Sequence, residues 1–279
     1  MFLRKHTKVL TMVSLILALS VCMVGFSWGG GSKGKAELKI TLAGSTSVQP
    51  VAEELARAYE AKNPGVKVFV QGGGSGAGIK AAQTGTANIG MSSRELKDSE
   101  KGLHETVIAK DGIAVVVHNS NPVADLTLEQ IKDIFAGKVT NWKQVGGPDK
   151  KITVVTREEG SGTRGAFEEI VMHHGDKEKI SSKAITQNST GAVHQTVALD
   201  ATAVGYISLG NLDSKVKALK VEGVYPTKTT VKKKQYKIQR PVLFLTKGAP
   251  KGEVSKFILF VTGPEGQKIV AKDYISVNR

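Results

Sequence analysis

Beyond its first 35 residues this sequence has no cysteine; the only one, Cys22, lies within an apolar N-terminal run. The rest of the chain can hold neither a disulfide nor a cysteine-based metal site. Histidine does not fill that gap, since His104, His118, His173, His174 and His194 show no i, i+4 pairing that would seat a metal on a helix. Neither a metal nor a cofactor is expected. Aromatic residues make up only 5% of the chain and are sparse around the basic run Lys232-Lys233-Lys234, so nucleic acid is not expected as a partner. No Gly-Lys pair is followed by Ser or Thr, which excludes a Walker A loop. Acidic residues are in the minority, 25 against 39 Lys and Arg, for a formal charge of +14. The first 35 residues carry five of those cations and no acid, leaving about +9 for the remainder, much of it between Lys215 and Arg240. Such a balance steers anions by long-range attraction, although the lysine run itself reads most simply as a solvated face.

The longest apolar stretch is at the start. Arg4, Lys5, His6 and Lys8 precede Val9 to Phe26, and the small residues Gly29 to Ser32 follow. A basic segment before a hydrophobic one marks a secretory leader, so residues 1–35 are read as signal peptide and flexible leader. The run is short for a spanning helix and no stop-transfer pattern follows, so export is expected. Leu19-Ser20-Val21-Cys22 is similar to a bacterial lipoprotein cleavage site, but Val21 is large where a small residue should stand. A freely soluble periplasmic protein is expected ahead of one lipid-anchored through Cys22. The remaining chain is long enough for two ordinary domains.

Strand and helix patterns alternate. Leu38 to Ala43 reads as a strand; Val48, Val51, Ala52, Leu55 and Tyr59 recur at helical spacing, with Pro50 in the first turn and a stop at Asn63-Pro64-Gly65. Val66 to Val70 and Ala87 to Met91 read as strands around a short helix ending near Gln83. Ile113 to His118 is strongly β-branched, and Thr127 with Gln130 forms a capping box for a helix through Phe135. Further strands are predicted at Ile152 to Val155, Val204 to Ser208 and Pro241 to Thr246. Two short helices, near Glu253 to Val261 and Gly266 to Ala271, complete the chain. This is an α/β pattern.

Three strands lead into a Gly/Ser/Thr turn and then a helix: Gly44-Ser45-Thr46-Ser47, Gly74-Ser75-Gly76 and Gly160-Ser161-Gly162-Thr163. Ligands of open α/β sheets lie beyond the carboxyl ends of strands, where free helix N–H groups attract anions. The third turn follows Arg157, whose planar fork matches a tetrahedral oxyanion, and precedes the amphipathic segment Ala166 to His174. Alone it is equally a well-capped surface helix. Three such turns and one Arg favour an anion site. Gly72-x-Gly74-x-x-Ala77 matches a loose dinucleotide fingerprint with Glu95 near the acidic position, but the helix between is too short for a full βαβ unit. Ser75 lacks the second glycine of a nucleophile elbow because Ala77 stands there, which argues against a serine hydrolase.

These loops, in this order, resemble the phosphate-binding proteins of ABC transporters, the PstS family. Arg157-x-x-x-Ser161-Gly162-Thr163 is the most specific piece. Gly44-x-Thr46, Gln71-x-x-Gly74-Ser75, Ile89-Gly90-Met91-Ser92-Ser93 and Ala203-Val204-Gly205-Tyr206-Ile207 support it, from Leu38 to the C-terminus. The resemblance implies a two-lobed periplasmic-binding-protein fold of type II-like form, each lobe a mixed sheet flanked by helices, joined by a two-strand hinge. Lobe I would comprise residues 36–115 and 240–279, and lobe II residues 116–239. It implies a monomeric, non-enzymatic receptor that closes on inorganic phosphate and delivers it to the ABC permease subunits of the inner membrane. By motif, Thr46, Ser75 and Ser93 of one lobe and Arg157, Ser161, Gly162 and Thr163 of the other would bind phosphate. Ser45, Ser47, Gly74 and Gly76 would support them, Arg94 would offer a second cation, and Glu159 would hold the fork of Arg157.

One position departs from the family pattern. Many relatives carry Asp where this chain has Ser93, and that acid accepts a hydrogen bond from protonated phosphate while repelling sulfate. A hydroxyl can donate or accept, which leaves the same receptor tuned to sulfate or molybdate as the alternative, and an exported hydrolase as a distant one.

Overall fold

The computed structural model describes residues 37–277; the predicted leader, with Cys22, lies outside the described residues. In chain order the elements are β1 (Leu38–Gly44), α1 (Gln49–Lys62), β2 (Val66–Gly72), α2 (Ser75–Thr84), β3 (Ile89–Ser92), β4 (His104–His118), β5 (Asp125–Leu126), α3 (Leu128–Ala136), β6 (Thr153–Arg157), α4 (Gly162–Phe167), β7 (Ile185–Gln187), α5 (Thr190–Leu199), β8 (Ala203–Ser208), β9 (Val216–Ala218), β10 (Lys220–Val221), α6 (Lys228–Lys232), β11 (Gln239–Thr246), α7 (Gly252–Thr262), α8 (Pro264–Asp273) and β12 (Ile275–Ser276). The main sheet runs β2-β1-β3-β11-β4-β8-β6-β7, with β12 and β9 also paired to β4.

Two lobes are built on the two ends of this sheet. At one end β1 lies parallel between β2 and β3, and β11 runs antiparallel to β3 and β4. At the other, β8 is antiparallel to β4 and parallel to β6, which is parallel to β7. Both ends are covered on both faces, which explains why several strands are unbroken apolar runs rather than alternating ones. In β11, Val242 and Phe244 join the core under α1, α7 and α8, while Leu243 and Leu245 face Ile79 and Ala82 of α2. In β4, Ile113, Val115 and Val117 pack with Phe135, Trp142 and Phe167, while Ala114 and Val116 meet Val193 and Val197 of α5.

β4 is the link between the lobes. It pairs with β11 up to Gly112 and with β8 from Ile113 onward. The sequence pattern found only the second part, because His104 to Gly112 interleaves charged residues that carry no apolar period. At the changeover, Asp111 of β4 and Arg240 of β11 are register partners and form an ion pair of 2.9 Å with both side chains 1% exposed. Burial holds the Asp111 carboxyl above its ordinary range, with the Arg240 charge opposing it only in part. Tyr236 closes the other side by donating its hydroxyl to the Ile113 carbonyl, 2.9 Å.

Helix α5 has no clear sequence signal: Gly191 and two threonines give it low propensity, and its apolar face is two valines. Packing on the sheet makes it a helix. The predicted amphipathic segment Ala166 to His174 is α4 followed by one π-helical turn, Glu168–Met172.

Candidate functional site

Five strands, β1, β2, β3, β6 and β7, end at one place, and their following turns meet there. The turns of β1 and β2 are locked together by Gly74 N–H to Gly44 O, and the β1 turn is fixed to β3 by Ser45 N–H to Met91 O, both 3.0 Å. Gly44 (φ 139°) and Gly74 (φ 84°) take backbone angles that a side chain would strain. A Cβ on Gly74 would also stand 3.0 Å from both Glu158 Oε1 and Gly160 O, across the cleft. Gly76 crosses the same gap with an N–H to Gly160 O bond of 2.9 Å, so that N–H is occupied by the other lobe.

On the second-lobe side, Arg157 ends β6 with 1% exposure. Its Nε and Nη2 bind the two oxygens of Glu158 at 2.9 and 2.8 Å, and Nη1 donates to Thr190 Oγ1 at 3.0 Å. Three of five guanidinium protons are thus committed, leaving one on each terminal nitrogen. The backbone of Arg157 is held as firmly. Its N–H donates to the Tyr206 hydroxyl at 3.3 Å, and its carbonyl accepts from Arg164 Nη1 at 2.9 Å. Tyr206 is itself fixed by stacking on Phe167, with ring centroids 4.1 Å apart.

Ser161 caps α4 by accepting from Arg164 N–H at 3.2 Å, which leaves its own proton free to point elsewhere. Gly162 and Thr163 follow in the first turn, buried, where backbone N–H groups have no helical partner. Capping therefore leaves the Ser161 proton and these N–H groups available to a further partner.

On the first-lobe side the hydroxyls form a cluster. Ser45 Oγ donates to Ser93 Oγ at 2.8 Å, Ser45 and Ser47 hydroxyls are 2.9 Å apart, and Ser75 Oγ accepts from Ser93 N–H at 3.1 Å. Ser47 also accepts from Arg240 Nη2 at 3.3 Å, and its carbonyl accepts from the Tyr274 hydroxyl. It supports the loop from the hinge side. Thr46 Oγ1 reaches across the cleft and accepts from Thr190 N–H at 3.2 Å.

The structure thus sets Gly162 against Ser75 and Ser93 across the cleft, links Thr46 to Arg157 through Thr190, and places Ser161 and Thr163 in the same turn as Gly162, with Ser45 bonded to Ser93. Two expectations are corrected. Glu159 does not hold the fork of Arg157; it is exposed, and Glu158 takes that place because the tight turn closed by Ser161 N–H to Glu158 O folds Glu158 back alongside its neighbour. Arg94 is not a second cation in the cleft. The turn that links Ser92 Oγ to Arg94 O sends the guanidinium to Glu100, where it makes two bonds of 2.6 and 2.8 Å and holds that carboxyl below its ordinary range.

Thr190 was missed by the sequence reading. Its signal was there: Asn188-Ser189-Thr190-Gly191 is a further polar turn before a helix, but weak helical character downstream hid it. Among the described residues no three His, Cys, Asp or Glu side chains are placed to hold a metal ion, and no helix is long and apolar enough to cross a membrane.

Residues 31–265 match the model of a PBP superfamily domain. The phosphate-binding protein PstS of Bacillus subtilis is 33% identical over 250 residues, covering 87% of this chain and 82% of that protein. A crystal structure from Clostridium perfringens, described as a phosphate ABC transporter substrate-binding protein with bound phosphate, is 46% identical with a TM-score of 0.82, covering 86% of this chain and all of that one. An ABC-type phosphate transport receptor from Vibrio cholerae is 41% identical with a TM-score of 0.71, covering 85% of this chain and 99% of that one.

Proposed function

The chain belongs to the PstS family of phosphate-binding proteins within the PBP superfamily, and we propose that its two lobes close on inorganic phosphate through the residues gathered at the strand ends. It is the substrate-binding protein of a phosphate ABC transporter. The observation that carries the site assignment is the buried Arg157 fork, which keeps two donors uncommitted at the strand ends and is joined to the other lobe through Thr190 and Thr46. Ser161, Gly162 and Thr163 add helix N–H and O–H donors from lobe II, and Thr46, Ser75 and Ser93 add hydroxyls from lobe I. In a dry cleft such charge-assisted bonds discriminate strongly against anions of the wrong shape.

The lobes divide at residues 36–115 with 240–279 and 116–239, the two crossings being β4 near Ile113 and the start of β11 at Arg240. The protein works as a monomer, exported through its leader to the periplasm, and hands phosphate to the permease without chemical turnover.

Calorimetry tests this reading directly. Phosphate should bind with one-to-one stoichiometry, and at a hundredfold excess over Kd it should stabilise the fold by about 2.7 kcal/mol. Absence of heat and of thermal stabilisation would refute it. Tryptophan emission is a poor substitute: Trp142 is fully buried in the lobe II core, its indole N–H bonded to Thr202 O at 2.9 Å.

Thr190 provides a second check. Thr190→Val keeps the side-chain shape but removes the acceptor for Arg157 Nη1. Affinity should fall about ten- to a hundredfold, the range for a hydrogen bond to a charged group, with little change in melting temperature. Unchanged affinity would mean Arg157 is oriented by Glu158 alone.

A further inference from the structure

The run Lys232-Lys233-Lys234 reads in sequence as a solvated face, and all three side chains are exposed. Its backbone carries a strain that solvation does not explain. Helix α6 closes with a two-bond cap, Lys234 N–H to Val231 O at 2.9 Å and Gln235 N–H to Thr230 O at 2.8 Å. The residue that turns such a cap is left-handed, and glycine is its usual occupant because it has no Cβ to strain. Here it is Lys234, at φ 57°. The other described non-glycine with a positive φ, Glu222 at 52°, is held by an ion pair to Lys237 at 2.6 Å. Lys234 has no such compensation: among the described residues, none of the three ammonium groups has a hydrogen-bond or ion-pair partner. The helix end does not account for it either, since glycine at 234 would leave Lys232 and Lys233 at the same end. Little cancels this charge. From Gly223 to Gly252 the chain has no Asp or Glu. Lys228, one turn before Lys232, fixes α6 against α8 by donating to the Ala271 and Lys272 carbonyls at 2.8 and 2.6 Å. Helix α8 brings one uncommitted acid, Asp273, because its Glu265 pairs with Lys62. Just before α6 stands Tyr225, 44% exposed.

We propose that the α6 corner, with Lys232, Lys233, Lys234 and Tyr225, is a docking surface for an anionic phospholipid membrane. It goes beyond the phosphate site and does not depend on it. Three exposed ammonium groups on flexible stems do not build a closed site for a small anion. They match a flat array of headgroup charges, to which each adds attraction within a Debye length. An aromatic ring with a polar tip beside them suits the boundary between lipid and water. A membrane is also where this chain works, since it serves an ABC transporter. The strain at Lys234 then has a reason: the corner keeps a third charge where a glycine would make the better cap. The corner contributes no donor to the anion site, so it governs where the receptor resides rather than what it binds.

The test is co-sedimentation of the exported, processed chain with vesicles of phosphatidylcholine alone and with vesicles holding a one-quarter share of phosphatidylglycerol. The wild type should sediment with the anionic vesicles only, and should be released as salt rises. Each lysine near such a surface contributes about fivefold in partition, so Lys232→Gln/Lys233→Gln/Lys234→Gln should bind about a hundredfold more weakly. A matched triple, Lys80→Gln/Lys150→Gln/Lys179→Gln, removes the same charge from exposed positions elsewhere and should stay within about threefold of the wild type. Lys234→Gly separates charge from strain: it should lose about fivefold in vesicle binding yet melt at a higher temperature. All variants share one N-terminus, so any contribution from it cancels, and phosphate calorimetry unchanged in each shows that the fold and cleft are intact. Equal losses in the two triples would mean attraction by net charge alone, and equal binding to neutral vesicles would mean apolar insertion. Either overturns the proposal, as does a lysine-run triple that holds anionic vesicles like the wild type. A wild type that ignores both vesicles also overturns it, and is the result expected if the corner meets an acidic protein instead.

Discussion

Arg157→Ala eliminates phosphate binding at concentrations where the wild type saturates. The two guanidinium protons not taken by Glu158 and Thr190 are donors on a charged group, and a hydrogen bond from such a group contributes about 1.5–3 kcal/mol. Losing two of them predicts a drop of about 3–6 kcal/mol, roughly a hundred- to ten-thousandfold in affinity. The loss is compounded because Glu158 remains, now an unpaired negative charge beside the incoming anion. Stability should suffer less than binding, since the Glu158 side chain is 30% exposed and can turn to water. Arg157→Lys separates charge from geometry: an ammonium cannot bind Glu158 through two nitrogens and still reach Thr190 and the ligand. Its affinity should lie between those of the wild type and the alanine variant. Calorimetry for binding and a thermal melt without phosphate decide the matter. An alanine variant within tenfold of wild type would place the anion elsewhere.

Much of this was legible in the residues, and the reasons differ by element. The three Gly/Ser/Thr turns could be read because capping chemistry and anion chemistry demand the same small hydroxyl residues at the same helix position. Strands β8 and β11 were visible as apolar runs because both faces of the sheet are covered. The first half of β4 was not, since its partner β11 rather than its own pattern makes it a strand. Glu158 and Glu159 could not be told apart in sequence: both are acids in one tight turn, and only the turn geometry decides which folds back onto the arginine. Arg94 was misread for a similar reason, because its direction depends on Ser92 and on Glu100 six residues later. Thr190 and Arg240 lie 33 and 83 residues beyond Arg157, and nothing local ties them to it; the sheet order does.

Gly162→Ala should give a protein that folds at least as well as the wild type but binds phosphate far more weakly. Gly162 lies within α4 and does not need a positive φ, so within its own helix alanine is the better residue by about 1 kcal/mol. The obstacle is on the other side of the cleft. A Cβ at this position would stand 2.7 Å from Ser93 Oγ and 2.9 Å from Ser75 Cβ, and would overlap Ser75 Oγ. Ser75 and Ser93 belong to lobe I and are fully buried, held by each other and by Ser45, so they cannot give way as a flexible surface chain would. The clash therefore exists only when the lobes are together. Overpacking of this kind costs about 1–3 kcal/mol, which predicts a ten- to hundredfold loss of affinity while the ligand-free melting temperature stays level or rises. Gly165 supplies the contrast: a Cβ there would meet Arg94 Cδ at 2.9 Å, the stem of a long side chain that can shift, so Gly165→Ala should lose much less. The two variants together distinguish closure from chemistry, since neither removes a donor to the anion. If Gly162→Ala bound as tightly as the wild type, the lobes would not meet on phosphate in this arrangement. The glycine is needed, then, for the closeness of the opposite lobe rather than for any flexibility of its own backbone.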